Sequence, residues 1–153
     1  MKVLLLNGSP HEKGCTYTAL SEVAAALTAD GVEAEILWTG SGPTTGCLGC
    51  GGCRKTGYCV RDDVVNQIID KLDDCDGLVV GSPVYWASPT GEVITFMDKL
   101  CGIAGKDMRW KPAAAVASAR RAGTTATLEV LSKYFMFYQM PVVSSSYWPM
   151  VHG

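Results

Sequence analysis

The densest chemistry in the chain is a run of four thiols. It reads Cys47-Leu-Gly-Cys50-Gly-Gly-Cys53-Arg-Lys-Thr-Gly-Tyr-Cys59, a C-x2-C-x2-C-x5-C pattern. Three thiols at overlapping two-residue spacing with a fourth nearby suit a cubane iron–sulfur cluster. Gly49, Gly51, Gly52 and Gly57 let the backbone bend tightly around such a ligand. Two other readings stay open. Structural zinc more often takes two C-x2-C pairs separated by a longer loop, and the thiols can equally be metal-free. The chain holds seven cysteines in all. An odd, clustered set points to metal or redox chemistry in a reducing compartment, hence the cytoplasm, rather than to a disulfide framework. Cys75 and Cys101 stand among apolar neighbours near helix ends and are expected as small core residues.

A second site lies near the N-terminus. The apolar run Met1–Leu6 stops at Asn7-Gly8-Ser9-Pro10-His11-Glu12-Lys13-Gly14-Cys15-Thr16, after which helical periodicity begins. A strand, a short glycine- and hydroxyl-bearing loop and a helix N-terminus form an anion site, where exposed N–H groups and the helix dipole favour negative charge. Ser9 and Thr16 add hydroxyl donors to the amides around Gly14 and Cys15, and His11 and Lys13 can add charge. The loop matches neither G-x-G-x-x-G nor a Walker A loop, so a single terminal phosphate is the expected ligand. An ordinary strand-to-helix connection is the plain alternative. A third stretch, Gly81-Ser82-Pro83-Val84-Tyr85-Trp86-Ala87-Ser88-Pro89, is stiffened by two prolines and offers Tyr85 and Trp86 as flat apolar surface. That surface suits a ring cofactor or, equally, a core or interface contact. Asp62-Asp63 precede a helical pattern and read as N-terminal caps.

The elements that must position these residues alternate. Strands are expected at Lys2–Leu6, Glu33–Leu37, Gly77–Gly81, Ala113–Ala117 and Val142–Ser145. Helices are expected at Thr16–Ala29, Val64–Asp73, Pro89–Leu100 and Thr124–Gln139. Leu20, Val23, Ala24 and Leu27 form one apolar stripe in the first helix, and Val64, Val65, Ile68, Ile69 and Leu72 in the second. Strict alternation predicts an α/β fold: a parallel sheet with right-handed crossovers and helices on both faces. Ligands of such sheets bind beyond the strands' C-terminal ends, where the three loops and the cysteine run fall.

At 153 residues the chain is expected to be a single domain, 1–153, with a cysteine-rich insertion at about 43–61. Hydrophobic residues make up 48% and charged residues 18%, which suits a sheet buried on both faces. A net charge of −2 gives no basic surface for nucleic acid or an anionic membrane, and no apolar run reaches spanning length. No helical pattern follows the fifth strand. Apolar surface near the fourth and fifth strands is therefore expected to be covered by further chain or by a partner subunit, a homodimer or higher homo-oligomer.

Taken together, N-G-S-P-x-x-x-G-x-T at Asn7–Thr16, the run Cys47–Cys59, Asp62-Asp63, G-S-P-V-Y at Gly81–Tyr85 and Phe96-x-Asp98-Lys99 resemble the flavodoxin-like NAD(P)H-dependent FMN reductases, in particular their iron–sulfur flavoprotein branch. The resemblance implies a three-layer flavodoxin-like fold with a five-stranded parallel sheet, order 2-1-3-4-5, lacking its last helix. It implies FMN, with the phosphate on Ser9, His11, Gly14, Cys15 and Thr16, and the isoalloxazine against Pro83, Val84, Tyr85 and Trp86. Backbone contacts to the ring would come from Ser118, Ala119, Arg120 and Gly123, and no side chain is expected to act as a catalytic acid or base. It further implies electron transfer from NAD(P)H or a protein donor to a quinone-like, nitro or other small acceptor, with a [4Fe–4S] cluster on Cys47, Cys50, Cys53 and Cys59 if the run holds one. Two departures stand out: Cys15 where the family usually has Asn, and Arg120-Arg121 where glycines are common. A non-enzymatic flavodoxin-like electron carrier and a flavin-free thiol module are the competing functions.

Overall fold

A computed structural model describes residues 1–104 and 107–153. Its elements run β1 (Lys2–Asn7), α1 (Cys15–Ala29), β2 (Glu33–Trp38), α2 (Cys53–Thr56), α3 (Val64–Asp73), β3 (Gly77–Tyr85), β4 (Ser88–Pro89), α4 (Gly91–Ala104), β5 (Ala113–Ala119), α5 (Thr124–Phe137) and β6 (Met150–His152). The parallel strands stand in the order β2-β1-β3-β5-β6. Apart from the small antiparallel β4, this is the expected flavodoxin-like order, with the numbering shifted by one.

Both faces of the sheet are apolar, as burial on two sides requires. Because side chains alternate, Leu4, Leu6, Leu78, Val80, Ala113, Ala115 and Ala117 face α3, α4 and α5. Val3, Leu5, Val79 and Val116 face α1, which covers them with Leu20, Val23 and Leu27. The second layer is thinner. Beside α1 an apolar cleft of about 250 Å³ opens between Val3, Leu27, Val79, Ala114 and Val143. This apolar surface runs from β1 across β3 to β5 and Val143.

One expectation is corrected. The last strand was expected at Val142–Ser145, but only Val142 pairs there, as an isolated bridge to Ala113. The chain then leaves the sheet and returns as β6, where Met150 pairs with Ala117. Val142 to Met150 spans eight positions against four in β5, from Ala113 to Ala117, so four extra residues bulge out. The serines at 144–146 bring no apolar side chain to bury, and Ser145 turns on itself, accepting from the Tyr147 N–H. Helix limits shift slightly: α4 starts at Gly91 and continues to Ala104.

On the β2 side, Glu35 lies between Lys2, at 2.9 Å, and Lys71. The Lys71 ammonium, then that of Lys2, holds the Glu35 carboxyl below its ordinary 4.5. Such a group adds stability that is complete above its unfolded-state pKa and lost as pH falls through the lower folded value. Glu35→Gln is expected to cost under about 1 kcal/mol at pH 7, with the difference from wild type vanishing in acid. Urea melts at pH 7 and pH 3 check both parts.

Candidate functional site

Loop 8–14 is held from several directions. Asn7, fully buried, donates through Nδ2 to the Glu12 carbonyl at 2.9 Å, and its Oδ1 accepts from the Ser9 N–H at 3.2 Å. The Trp38 indole N–H donates to the Ser9 carbonyl at 2.8 Å, and Ser9 Oγ accepts from the His11 N–H. From the other side the Gly8 N–H donates to the Gly81 carbonyl at 2.9 Å, and the Thr90 hydroxyl donates to the Gly8 carbonyl at 3.2 Å. Gly8 is required here. A Cβ at that position would lie 1.9 Å from Val93 Cγ2 and 3.0 Å from the Gly81 carbonyl.

The loop delivers the start of α1 without a cap. Gly14, at the N-cap, offers no side-chain hydrogen bond, and the first turn carries no acid. The positive end of the helix is therefore open to an external anion. Ser9, His11, Gly14, Cys15 and Thr16 line one cleft of about 230 Å³ together with Pro83, Val84, Tyr85, Ser118, Ala119 and Arg120. The residues expected to hold a phosphate and those expected to hold a ring thus meet, although they come from three separate loops. On the cleft's floor Thr16 Oγ1 and Ser118 Oγ share a buried hydrogen bond of 2.7 Å, which ties the first loop to the end of β5. The donor set fits a ligand with one terminal phosphate and a flat ring.

Two expected residues stand elsewhere. Trp86 is 100% exposed and outside the cleft lining. Stretch 82–89 is a β-hairpin rather than a loop, with Trp86 (φ +53°) and Ala87 (φ +58°) at its tip. Positive φ at both central residues is the type I′ pattern usually reserved for Asn and Gly. Gly123 (φ +98°) begins α5 and seats that tip: its Cβ would lie 2.7 Å from Ala87 Cα.

The cysteine run forms a separate site. Cys47, Cys50, Cys53 and Cys59 line one small cavity of about 40 Å³ with Arg61 and Lys99. Gly49, Gly51 and Gly57 adopt positive φ, and a Cβ on Gly52 would strike Val60 at 2.6 Å, so the backbone curls as the sequence requires. Among the described residues no three potential ligands converge to metal-binding distance. All seven cysteines are free thiols. Four thiols around one glycine-built cradle match the donor chemistry of a thiolate-bound metal centre. Asn66 on α3 fixes Cys59, accepting from its N–H at 2.8 Å and donating to its carbonyl at 3.0 Å. Asp63 caps α3 as expected, accepting from the Val65 N–H at 3.1 Å. Cys75 and Cys101 are buried, and burial pushes the Cys101 thiol up to about 12, which leaves it inert.

The fold defines the class: a flavodoxin-like α/β protein, here with an uncapped helix N-terminus following its first strand. The family model of the NADPH-dependent FMN reductases matches residues 1–153, so the chain belongs to that family of flavin oxidoreductases. An iron–sulfur flavoprotein of Methanocaldococcus jannaschii is 30% identical over 149 residues, which cover 95% of this chain and 77% of the relative. Two solved structures share the fold. RosB, bound to 8-demethyl-8-formylriboflavin-5'-phosphate, has a TM-score of 0.78 at 15% identity, covering all of this chain and 64% of its own. The NAD(P)H:(acceptor) oxidoreductase FerB of Paracoccus denitrificans has a TM-score of 0.70 at 17% identity, covering 96% and 77%. Among the described residues no helix is long and apolar enough to cross a membrane.

Sequence reasoning missed Trp38 and Thr90, and named Asn7 and Lys99 only within motifs of the resemblance, without a role for either. Asn before a glycine at a strand end is a local signal for a side-chain-to-backbone turn, whereas Trp38 and Thr90 act through tertiary contacts alone. Gly8→Ala is expected to destabilise the chain by about 2 kcal/mol or more, because backbone and Val93 must both move. A thermal melt shows it; an unchanged melting temperature would contradict the close approach.

Proposed function

We propose that this chain is an FMN-dependent oxidoreductase that passes electrons from NAD(P)H or a protein donor to a quinone-like, nitro or other small acceptor. The observation that carries this reading is the shared cleft: an uncapped helix N-terminus, the Ser9 and Thr16 hydroxyls and the Pro83–Tyr85 wall converge on one volume. Ser9, His11 and the first amides of α1, from Gly14 to Thr16, would hold the phosphate. Pro83, Val84 and Tyr85 would flank the ring, with Trp86 and Gly123 acting through the hairpin. Ser118, Ala119 and Arg120 would bound its polar edge. When bound, FMN supplies hydride and single-electron transfer; the chain supplies binding and orientation. Cys47, Cys50, Cys53 and Cys59 would hold a [4Fe–4S] cluster, a reading supported by their common cavity and by the iron–sulfur flavoprotein relatives. Free thiols in this number support a cytoplasmic setting.

The first measurement is an absorption spectrum of protein purified without oxygen, with iron and acid-labile sulfide assayed on the same sample. Flavin bands over a broad absorption that bleaches with dithionite, plus stoichiometric iron, are expected. Flavin without iron would remove the cluster. A colourless protein that FMN does not reconstitute would remove the function. Ser9→Ala with Thr16→Ala is expected to weaken FMN binding by about tenfold or more, read by flavin fluorescence quenching.

A flavodoxin-like electron carrier is the second reading, favoured by the exposed Trp86 beside the cleft, which suits docking to a protein partner. A carrier would bind FMN yet show no steady-state oxidation of NADPH with small acceptors. The apolar cleft beside α1 supports a homodimer or higher homo-oligomer. Light scattering on a size-exclusion peak is expected to give at least twice the chain mass, and a clean monomer would end that part of the reading.

A further inference from the structure

Lys99 is a buried cation that the proposed chemistry does not use. It is 2% exposed, on an α4 face otherwise built from Phe96, Met97 and Leu100. Its ammonium pairs with the Asp63 carboxylate. A buried ion pair is often no more stable than apolar side chains of similar volume, so packing alone does not account for a lysine here. Lys99 also lines the cavity shared by Cys47, Cys50, Cys53 and Cys59, and Arg61 lines it too, whereas no carboxylate does. Asp63 does not simply cancel the charge, because it also serves the N-terminus of α3 through Val65. Lys99 and the α3 N-terminus therefore share one largely buried acid, Asp63, while Arg61 lines the thiol cavity and the neighbouring Asp62 is exposed.

We propose that Lys99 is the charge-compensating residue of this cysteine site. Held in place by Asp63, its ammonium offsets the net negative charge that four thiolates give to a metal centre. The inference rests on reading the cysteine run as a metal site. Lys99 acts on the centre through space and not as a ligand, from a buried position where its charge is less screened than that of a surface lysine.

The test uses the full chain with Lys99→Gln, which keeps a hydrogen-bonding partner for Asp63, Lys99→Met, which keeps the packing, and Lys99→Arg, which keeps the charge. Cobalt(II) titration of the apo chain, read at the thiolate charge-transfer band, is expected to show about tenfold weaker binding for Gln and Met. Arg should stay within about twofold of wild type. In chains reconstituted with iron and sulfide, the midpoint potential should become more negative for Gln and Met and hold for Arg. Metal uptake with affinity and potential unchanged in both neutral variants would overturn the role of Lys99 alone. A wild-type chain that takes up neither cobalt nor iron and sulfide would overturn the metal site and the role of Lys99 together.

Discussion

The close approach of β1 and β3 at their C-terminal ends is the constraint on which the site depends. Strand pairing runs to Asn7 opposite Gly81, and one residue later the Gly8 N–H still reaches the Gly81 carbonyl. At that point the helix after β3 is so near that Val93 occupies the space a side chain on Gly8 would need. The chain leaving β1 can then turn only over the top of the sheet, where Trp38 from one side and Thr90 from the other hold its carbonyls. This fixes where α1 begins and which way its unpaired amides point. The loop geometry thus rests on backbone crowding at Gly8 together with the Asn7, Trp38 and Thr90 side chains that hold its backbone.

The cysteine site is built on the opposite principle. Around Cys47–Cys59 most side chains are exposed, and the four-residue α2 buries none of its own. Its anchors are polar clamps from neighbouring helices: Asn66 on Cys59, and a Cys53 thiol that reaches the Gly102 carbonyl. A loop with so little apolar burial draws little stability from packing, so any ligation free energy there would also be folding free energy. The cleft at the C-terminal ends of the strands is preorganised by the fold. The thiol cradle is only outlined by it.

Most of the architecture was legible because hydrophobic period and burial agree. Strands β1, β3 and β5 carry apolar residues on both faces and α3 carries one stripe, so existence and type followed directly, whereas the strand order came from the family resemblance and the two-residue β4 was not foreseen. The final strand was not legible. Val142 and Val143 look like the start of a strand, yet Met150–His152 forms the longer pairing, and nothing local separates the two. Within the cleft, Ser9, Thr16 and the Pro83–Tyr85 segment were readable from residue type at strand ends. Trp86 was not, since its direction depends on a positive-φ turn that Trp and Ala do not advertise. Lys99 was named within a motif of the resemblance, but its burial against Asp63 and the thiol cavity depends on tertiary neighbours that the sequence does not show.

The bulge between Val142 and Met150 has a consequence beyond register. A flat outer strand on an open sheet is a template on which further chains can stack without limit. Here the outermost pairing is broken in the middle, and Tyr147 and Trp148 pack edge to face at the gap, with ring centroids 4.9 Å apart. The β6 side of the sheet is therefore short and crooked, a poorer template for edge-to-edge pairing than a continuous strand, and the same irregularity obscured the sequence pattern.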